Sequence, residues 1–195
     1  MAFVLASNNP GKLREFEQLF AQLGLEVVPQ AQFGVEDADE TGLSFIENAL
    51  IKARHASERT KQPAMADDSG IVVPALKGAP GIYSARYSGK GDAANNEKLL
   101  RALEGIEGAD RNAFYVAVIA LVKYASDPMP IIAEGRWHGR IAKGPVGEGG
   151  FGYDPLFIPD GFKITAAKMT PDDKQALSHR AQALKALAPQ LNSIQ

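Results

Sequence analysis

The stretch Phe3-Val-Leu-Ala-Ser-Asn-Asn-Pro-Gly-Lys12 joins an apolar run to a turn, and the residues after it repeat at helical spacing. Phe3 to Ala6 reads as a buried strand, Ser7 to Gly11 as the turn, and Leu13, Phe16, Leu19, Phe20 and Leu23 as one face of a helix that Gly24 is placed to cap. Leu25 to Val28 is expected as the next strand. Strand-helix alternation here, with a hairpin further along the chain, implies an α/β domain with a mixed sheet.

Working outward, four acids stand in five residues at Glu36, Asp37, Asp39 and Glu40. Ser44 and Glu47 then have capping-box spacing and open a helix expected to run to about Arg59, with Phe45, Ile46, Ala49, Leu50, Ala53 and Ala56 as its apolar arc. Ala64 to Ala66 predicts a short strand ending at Asp67-Asp68-Ser69-Gly70, with Ile71 to Leu76 resuming the extended pattern. Lys77 to Gly91 is turn-rich, Asp92 to Leu103 helical, Ala113 to Tyr124 a strand, and Ile131 to Ala142 one or two partner strands of an antiparallel set. Five of the nine residues from Gly144 to Gly152 are glycine, too many for a regular element, and Leu156 to Ile158 follows as a strand. Thr170-Pro171-Asp172-Asp173 has the hydroxyl, proline and acids of a helix start, so a last helix is expected from there to about Leu187.

A chain of 195 residues, 45% hydrophobic and 23% charged, is long enough for one domain with a real core; about 70% of its surface is buried on folding at this size. The absence of cysteine excludes disulfides, thiolate metal sites and a cysteine nucleophile. A formal net charge of -2 argues against a broad surface for duplex nucleic acid. The longest apolar run, Ala113 to Val122, is half of the roughly 20 residues that cross a membrane, and the N-terminus lacks the basic start of a signal peptide, so a cytoplasmic protein is expected.

Several residues point to chemistry. Ser7 to Lys12, between a strand and a helix, can hold a phosphate on backbone N–H groups with Lys12 adding charge, or can be a turn with a surface lysine. It is not a Walker A loop, since Ala6 and Leu13 stand where glycine and Ser or Thr belong. Asp67 and Asp68 are either a cation-binding pair suited to magnesium or an acidic turn, and Glu36 to Glu40 reads most simply as a solvated loop. Lys52 lies beside the apolar arc of its helix, placed to reach a cleft. Arg180 falls inside the apolar arc of the last helix and needs a buried acid or a ligand. His55, His138 and His179 have no metal spacing, although His179 neighbours Arg180. Phe151 could stack on a base whose N–H groups Asp154 reads.

Taken together, Ser7-Asn-Asn-Pro-Gly-Lys12, Glu40 to Ala49 with Lys52-Ala-Arg54, Ala66-Asp-Asp-Ser-Gly70, Gly78 to Tyr87, Gly149-Gly-Phe-Gly-Tyr-Asp-Pro155 and Ser178-His-Arg180 resemble the inosine triphosphate pyrophosphatase family in its bacterial dITP/XTP branch. The resemblance covers nearly the whole chain, motifs in order. It implies one α/β domain over residues 1–195, two lobes around a long mixed β-sheet with the active site in the cleft between lobes. It also implies a homodimer that uses magnesium to hydrolyse ITP, dITP and XTP to the monophosphate and pyrophosphate. By motif position Ser7, Asn8, Asn9, Pro10, Gly11, Lys12 and Lys52 would serve the triphosphate, Glu40 and Asp68 the metal, and Asp68 the general base with Ser69 beside the nucleotide. Phe151, Gly152, Tyr153, Asp154, Lys174, His179 and Arg180 would bind nucleotide and base. A pyrophosphatase with another base preference, or a non-catalytic nucleotide-binding protein, would share part of this set.

Overall fold

The computed structural model describes residues 2–22 and 24–191; Leu23 and the side chain of Leu19, both expected on the first helical face, lie outside the described residues. Strands β1 (Ala2–Leu5), β2 (Glu26–Pro29), β3 (Ala64–Val72), β4 (Asn112–Val122), β5 (Ile131–Ile141) and β6 (Phe157–Pro159) form a six-stranded sheet in the order β2-β1-β3-β4-β5-β6. The sheet is mixed: β1 pairs in parallel with β2 and with β3, and β5 pairs antiparallel with β6. Helices α1 (Pro10–Gln22), α2 (Phe45–Thr60), α3 (Asp92–Ala102), α4 (Pro171–Leu177) and α5 (His179–Leu191) complete the α/β fold.

The chain divides into two compact units, residues 1–68, 117–134 and 183–195 in the first and 69–116 and 135–182 in the second. The first unit has its own core, where Phe16 and Phe20 of α1 pack with Phe3, Leu5 and Met65 and with Leu184 and Leu187 of α5. Each fully buried phenylalanine contributes about 1.5 to 3 kcal/mol, so Phe16 and Phe20 anchor α1. The second unit has a separate aromatic core of Tyr115, Trp137, Tyr153 and Phe157 with Ile71 and Leu99.

Three local expectations change. The strand at Ala64 does not stop at the acids: β3 runs unbroken to Val72, because Ile71 and the carboxylates themselves are buried and compensated. Of the one or two strands expected from Ile131 to Ala142, a single one forms, with buried Ala133, Trp137 and Ile141 alternating with exposed Glu134, Arg136, His138 and Arg140, which is the period of a half-buried strand. On α2 the buried stripe is Asn48, Ala49, Ala53, Ala56 and Ser57, while Ile46 is exposed. The expected last helix is two, because Ser178 leaves helical geometry with ψ 156° and its hydroxyl accepts from the N–H of Ala181, starting α5 afresh. That break places His179 and Arg180 in the first turn of α5.

Candidate active site

In the first unit, β1 pairs with β3 as far as Leu5 and Met65, and β3 continues past that point into Asp67 and Asp68. Successive residues of a strand face opposite sides of a sheet, so the two carboxylates are separated by parity. Met65, of the same parity as Asp67, packs with α1, and Asp67 meets Lys12 of α1 at 3.0 Å. Asp68 takes the other face, where Lys52 of α2 donates to Oδ1 at 3.1 Å and lies 3.5 Å from Glu40. Ala49 and Ala53 let α2 pack closely enough on the sheet for a lysine one turn further on to reach Asp68.

Burial pushes the Asp68 carboxyl above its ordinary value, with Lys52 only partly opposing the shift. Burial alone would lower the Lys52 ammonium, yet Asp68, Asp67 and Glu40 together hold it above its usual range. Among the described residues Asp68 Oδ2 is buried and makes no hydrogen bond. No group of three or more His, Asp or Glu that could hold a metal occurs among them. Two carboxylates converging on one cation, with a spare carboxylate oxygen, are nevertheless hard oxygen donors that could hold a divalent metal ion.

The turn before α1 departs from the amide cradle expected there. The Asn9 side chain accepts from the N–H groups of Gly11 and Lys12 at 2.9 and 3.2 Å, Ser7 Oγ accepts from the N–H of Asn9, and Pro10 has none to offer. Asparagine at the cap position followed by proline satisfies the helix start from within. Asn8 donates to Asp37 at 2.9 Å, which also accepts from buried Gln30 at 2.7 Å, so one member of the acidic loop is a structural acceptor. Anion binding at this turn therefore depends on Lys12 and on the Ser7 and Asn9 side chains changing partners.

In the second unit, the Gly-rich loop is organised around Asp154. Its Oδ2 accepts from Lys174 Nζ and from the N–H of Phe151 at 2.9 Å, and Oδ1 accepts from the Tyr115 hydroxyl at 3.3 Å. A Cβ at Gly150, where φ is +74°, would lie 2.1 Å from Asp154 Oδ2, so only glycine lets the loop close on the carboxylate. With three donors on it and 2% of its surface exposed, Asp154 holds the loop, and a base-edge N–H would have to meet the acceptor position that remains on its carboxylate. Tyr153 is also buried, its hydroxyl donating to the carbonyl of Ser84 at 2.7 Å. Phe151 is the opposite case: its ring is 59% exposed with Lys174 Nζ 4.5 Å from its centroid.

His179 is buried and stacks on Tyr115, with ring centroids 4.8 Å apart and planes 12° from parallel. Arg180, the next residue, is 4% exposed. Tyr115, which sequence reasoning passed over, thus touches both Asp154 and His179; burial and Asp154 hold its hydroxyl well above the ordinary value for tyrosine. Its signal was a polar-tipped aromatic, next to Phe114, at the head of the aliphatic run Val116 to Val122. Ser69 follows Asp68 in β3, half-buried. Of the other histidines, His55 Nε2 donates to the carbonyl of Glu36 at 3.1 Å, and exposed His138 packs its ring against Phe114.

The sequence profile of the Ham1 family matches residues 3–190. A dITP/XTP pyrophosphatase of Burkholderia pseudomallei is 57% identical over 98% of this chain and 93% of that protein. The structure of a HAM1 protein from Coxiella burnetii superposes with a TM-score of 0.94 at 47% identity, covering 99% of both chains. A nucleoside-triphosphatase / dITP/XTP pyrophosphatase from Mycobacterium abscessus gives a TM-score of 0.83 at 45% identity, covering 98% of this chain and all of that one.

Proposed function

The chain belongs to the Ham1 family, and from that premise we propose that it hydrolyses the non-standard purine nucleoside triphosphates ITP, dITP and XTP to the monophosphate and pyrophosphate. The observation that carries this reading is the Asp68–Lys52–Glu40 cluster, a buried carboxylate held beside a lysine and a second acid in a chain of this family. Asp68 orients a water and takes its proton as the α–β phosphoric anhydride bond breaks and the oxygen of water joins phosphorus. Lys12 and Lys52 turn from their carboxylates to the phosphate oxygens, exchanging one charged hydrogen bond for another. Glu40 and Asp68 would hold magnesium, which neutralises triphosphate charge and polarises the phosphoryl group when bound.

Base selection falls to the second cluster. Phe151 offers an exposed ring for stacking, and the buried His179 and Arg180 would exchange their present partners to donate toward a 6-carbonyl. Adenine presents a 6-amino donor there, leaving donors opposed at about 1 to 3 kcal/mol per unsatisfied group. Asp154 and Lys174 hold the loop that carries Phe151. We take residues 1–195 as a single catalytic domain acting as a homodimer in the cytoplasm; among the described residues no helix is long and apolar enough to cross a membrane.

The test is a panel of nucleoside triphosphates with pyrophosphate and orthophosphate measured separately. Magnesium-dependent pyrophosphate release from ITP, dITP and XTP above ATP and dTTP is expected. Orthophosphate release, or equal turnover of ATP, overturns the reading. Sedimentation of the purified chain checks the dimer.

A further inference from the structure

Helix α3 carries none of the residues assigned to the substrate, yet its polar face holds the loop that does. The Asp92 carboxylate, at the first turn of α3, accepts from the N–H of Gly152 at 2.8 Å. Asn96, one turn later and 8% exposed, donates through Nδ2 to the carbonyl of the same Gly152 at 2.8 Å and to the carbonyl of Asp92 at 2.9 Å. Both backbone hydrogen-bonding groups of one loop residue are therefore fixed by side chains four residues apart on one helix face. Gly152 has φ +59°, a conformation that glycine adopts without strain, so these bonds select one loop shape where the chain alone would allow several. Asn95, between them, accepts from the N–H and hydroxyl of Ser88 and donates to the carbonyls of Ser84 and Ala85, and the Ser84 carbonyl also receives the Tyr153 hydroxyl.

On either side of Gly152 the loop is pinned as well, by Asp154 on the N–H of Phe151 and by Ser84 on Tyr153. Among the described residues the polar tethers of this segment act on backbone, on the Tyr153 hydroxyl or on the Asp154 carboxylate, and the Phe151 ring meets only the cation above it. The arrangement leaves that ring exposed on a fixed backbone, the property a stacking platform needs.

We propose that Asp92 and Asn96 are positioning residues that set the orientation of Phe151 as the platform for a purine base. The inference rests on the nucleotide reading given above and extends it to a helix that no motif marked. Asn96→Ala should raise KM for ITP about tenfold while changing kcat less than twofold, and inhibition by inorganic tripolyphosphate, which has no base, should stay at the wild-type value. Phe151→Ala should raise KM similarly, and adding Asn96→Ala to it should add less than a twofold further change, because the tether then has no ring to place. Hydrogen exchange of residues 149–154 should rise in Asn96→Ala while β4 stays protected. Asp92→Ala, at an exposed position, repeats the test should Asn96→Ala fold poorly.

Independent, multiplying effects of Asn96→Ala and Phe151→Ala overturn the proposal, as does unchanged exchange in the loop. Weakened tripolyphosphate inhibition in parallel with KM overturns it too, by showing a general structural loss. If the wild-type protein releases no pyrophosphate from any purine triphosphate, the functional reading fails, and the exchange measurement still decides whether α3 tethers the loop.

Discussion

Around β3 and α2, buried carboxylates are balanced by long lysine side chains: Lys12 on Asp67 and Lys52 on Asp68 and Glu40. Around the loop 149–154, the one buried carboxylate is instead surrounded by a lysine, a backbone N–H and a tyrosine hydroxyl, and the neighbouring backbone is tied to a helix. Ion pairs between flexible chains exchange readily for phosphate oxygens or a metal of like charge. Hydrogen bonds directed at backbone do not exchange without moving the loop. The first region is thus suited to a charge that arrives and leaves with each substrate, and the second to a surface whose shape must precede the ligand.

The sharpest way to break that comparison is Asp68→Asn, which should lower turnover by about 10² or more while the protein remains folded, measured as pyrophosphate release from ITP. Wild-type turnover in a folded variant would move the base to another acid. The same variant tests the charge balance through pH. Because the folded state raises the Asp68 carboxyl above its ordinary 3.8, the native protein binds more protons than the unfolded chain just above that pH. Stability contributed by the protonated form is therefore complete below pH 3.8 and is lost as pH rises through the raised value. Asp68→Asn should remove this part of the slope in denaturation midpoint against pH.

Next in size, Lys12→Ala should weaken inhibition by inorganic tripolyphosphate about tenfold to a hundredfold, the value of a charged hydrogen bond of about 1.5 to 3 kcal/mol, and leave nucleoside binding unchanged. Equal losses for both ligands would place Lys12 away from the phosphates and dissolve the distinction between the regions.

Arg180→Leu sharpens the other side. It should reduce the ITP to ATP ratio of kcat/KM by about tenfold. A drop in stability of about 3 to 5 kcal/mol with the ratio intact would make Arg180 a buried ion-pair member instead. The smallest effect belongs to Tyr115→Phe, which keeps the ring on His179 and removes only a 3.3 Å bond to an Asp154 that retains Lys174 and the Phe151 N–H. A change below about fivefold in ITP kcat/KM is expected, since a bond as long as 3.3 Å is worth about 1 kcal/mol at most. A larger loss would show that the hydroxyl orients the carboxylate as well as joining it.

Much of this was legible from residue order. The strand, turn and helix from Phe3 to Gln22, the capping box of Ser44 and Glu47, and the start at Thr170 were readable because each depends on neighbours within four residues. The acids at 67 and 68 were misread as a strand end for the complementary reason. Local rules penalise adjacent carboxylates in a strand, and nothing local reveals lysines brought to them from 55 residues upstream and from 16 residues upstream on separate helices. Ser178 was passed over inside an apolar repeat that continues across it, although it is a good cap in its own right.

By itself the sequence determined the fold class and the residues that carry charge, from periodicity, turn chemistry and composition, while its motifs in their order carried the family resemblance. Only the tertiary structure decided which carboxylate faces which lysine, that Asp154 is enclosed by its own loop, that Tyr115 stacks on His179, and that α3 grips Gly152. The physical reason is range: helices and turns are set by contacts a few residues apart, whereas the partners of Asp68, Asp154 and Gly152 lie 16, 20 to 39, and 56 to 60 positions away and are chosen by packing.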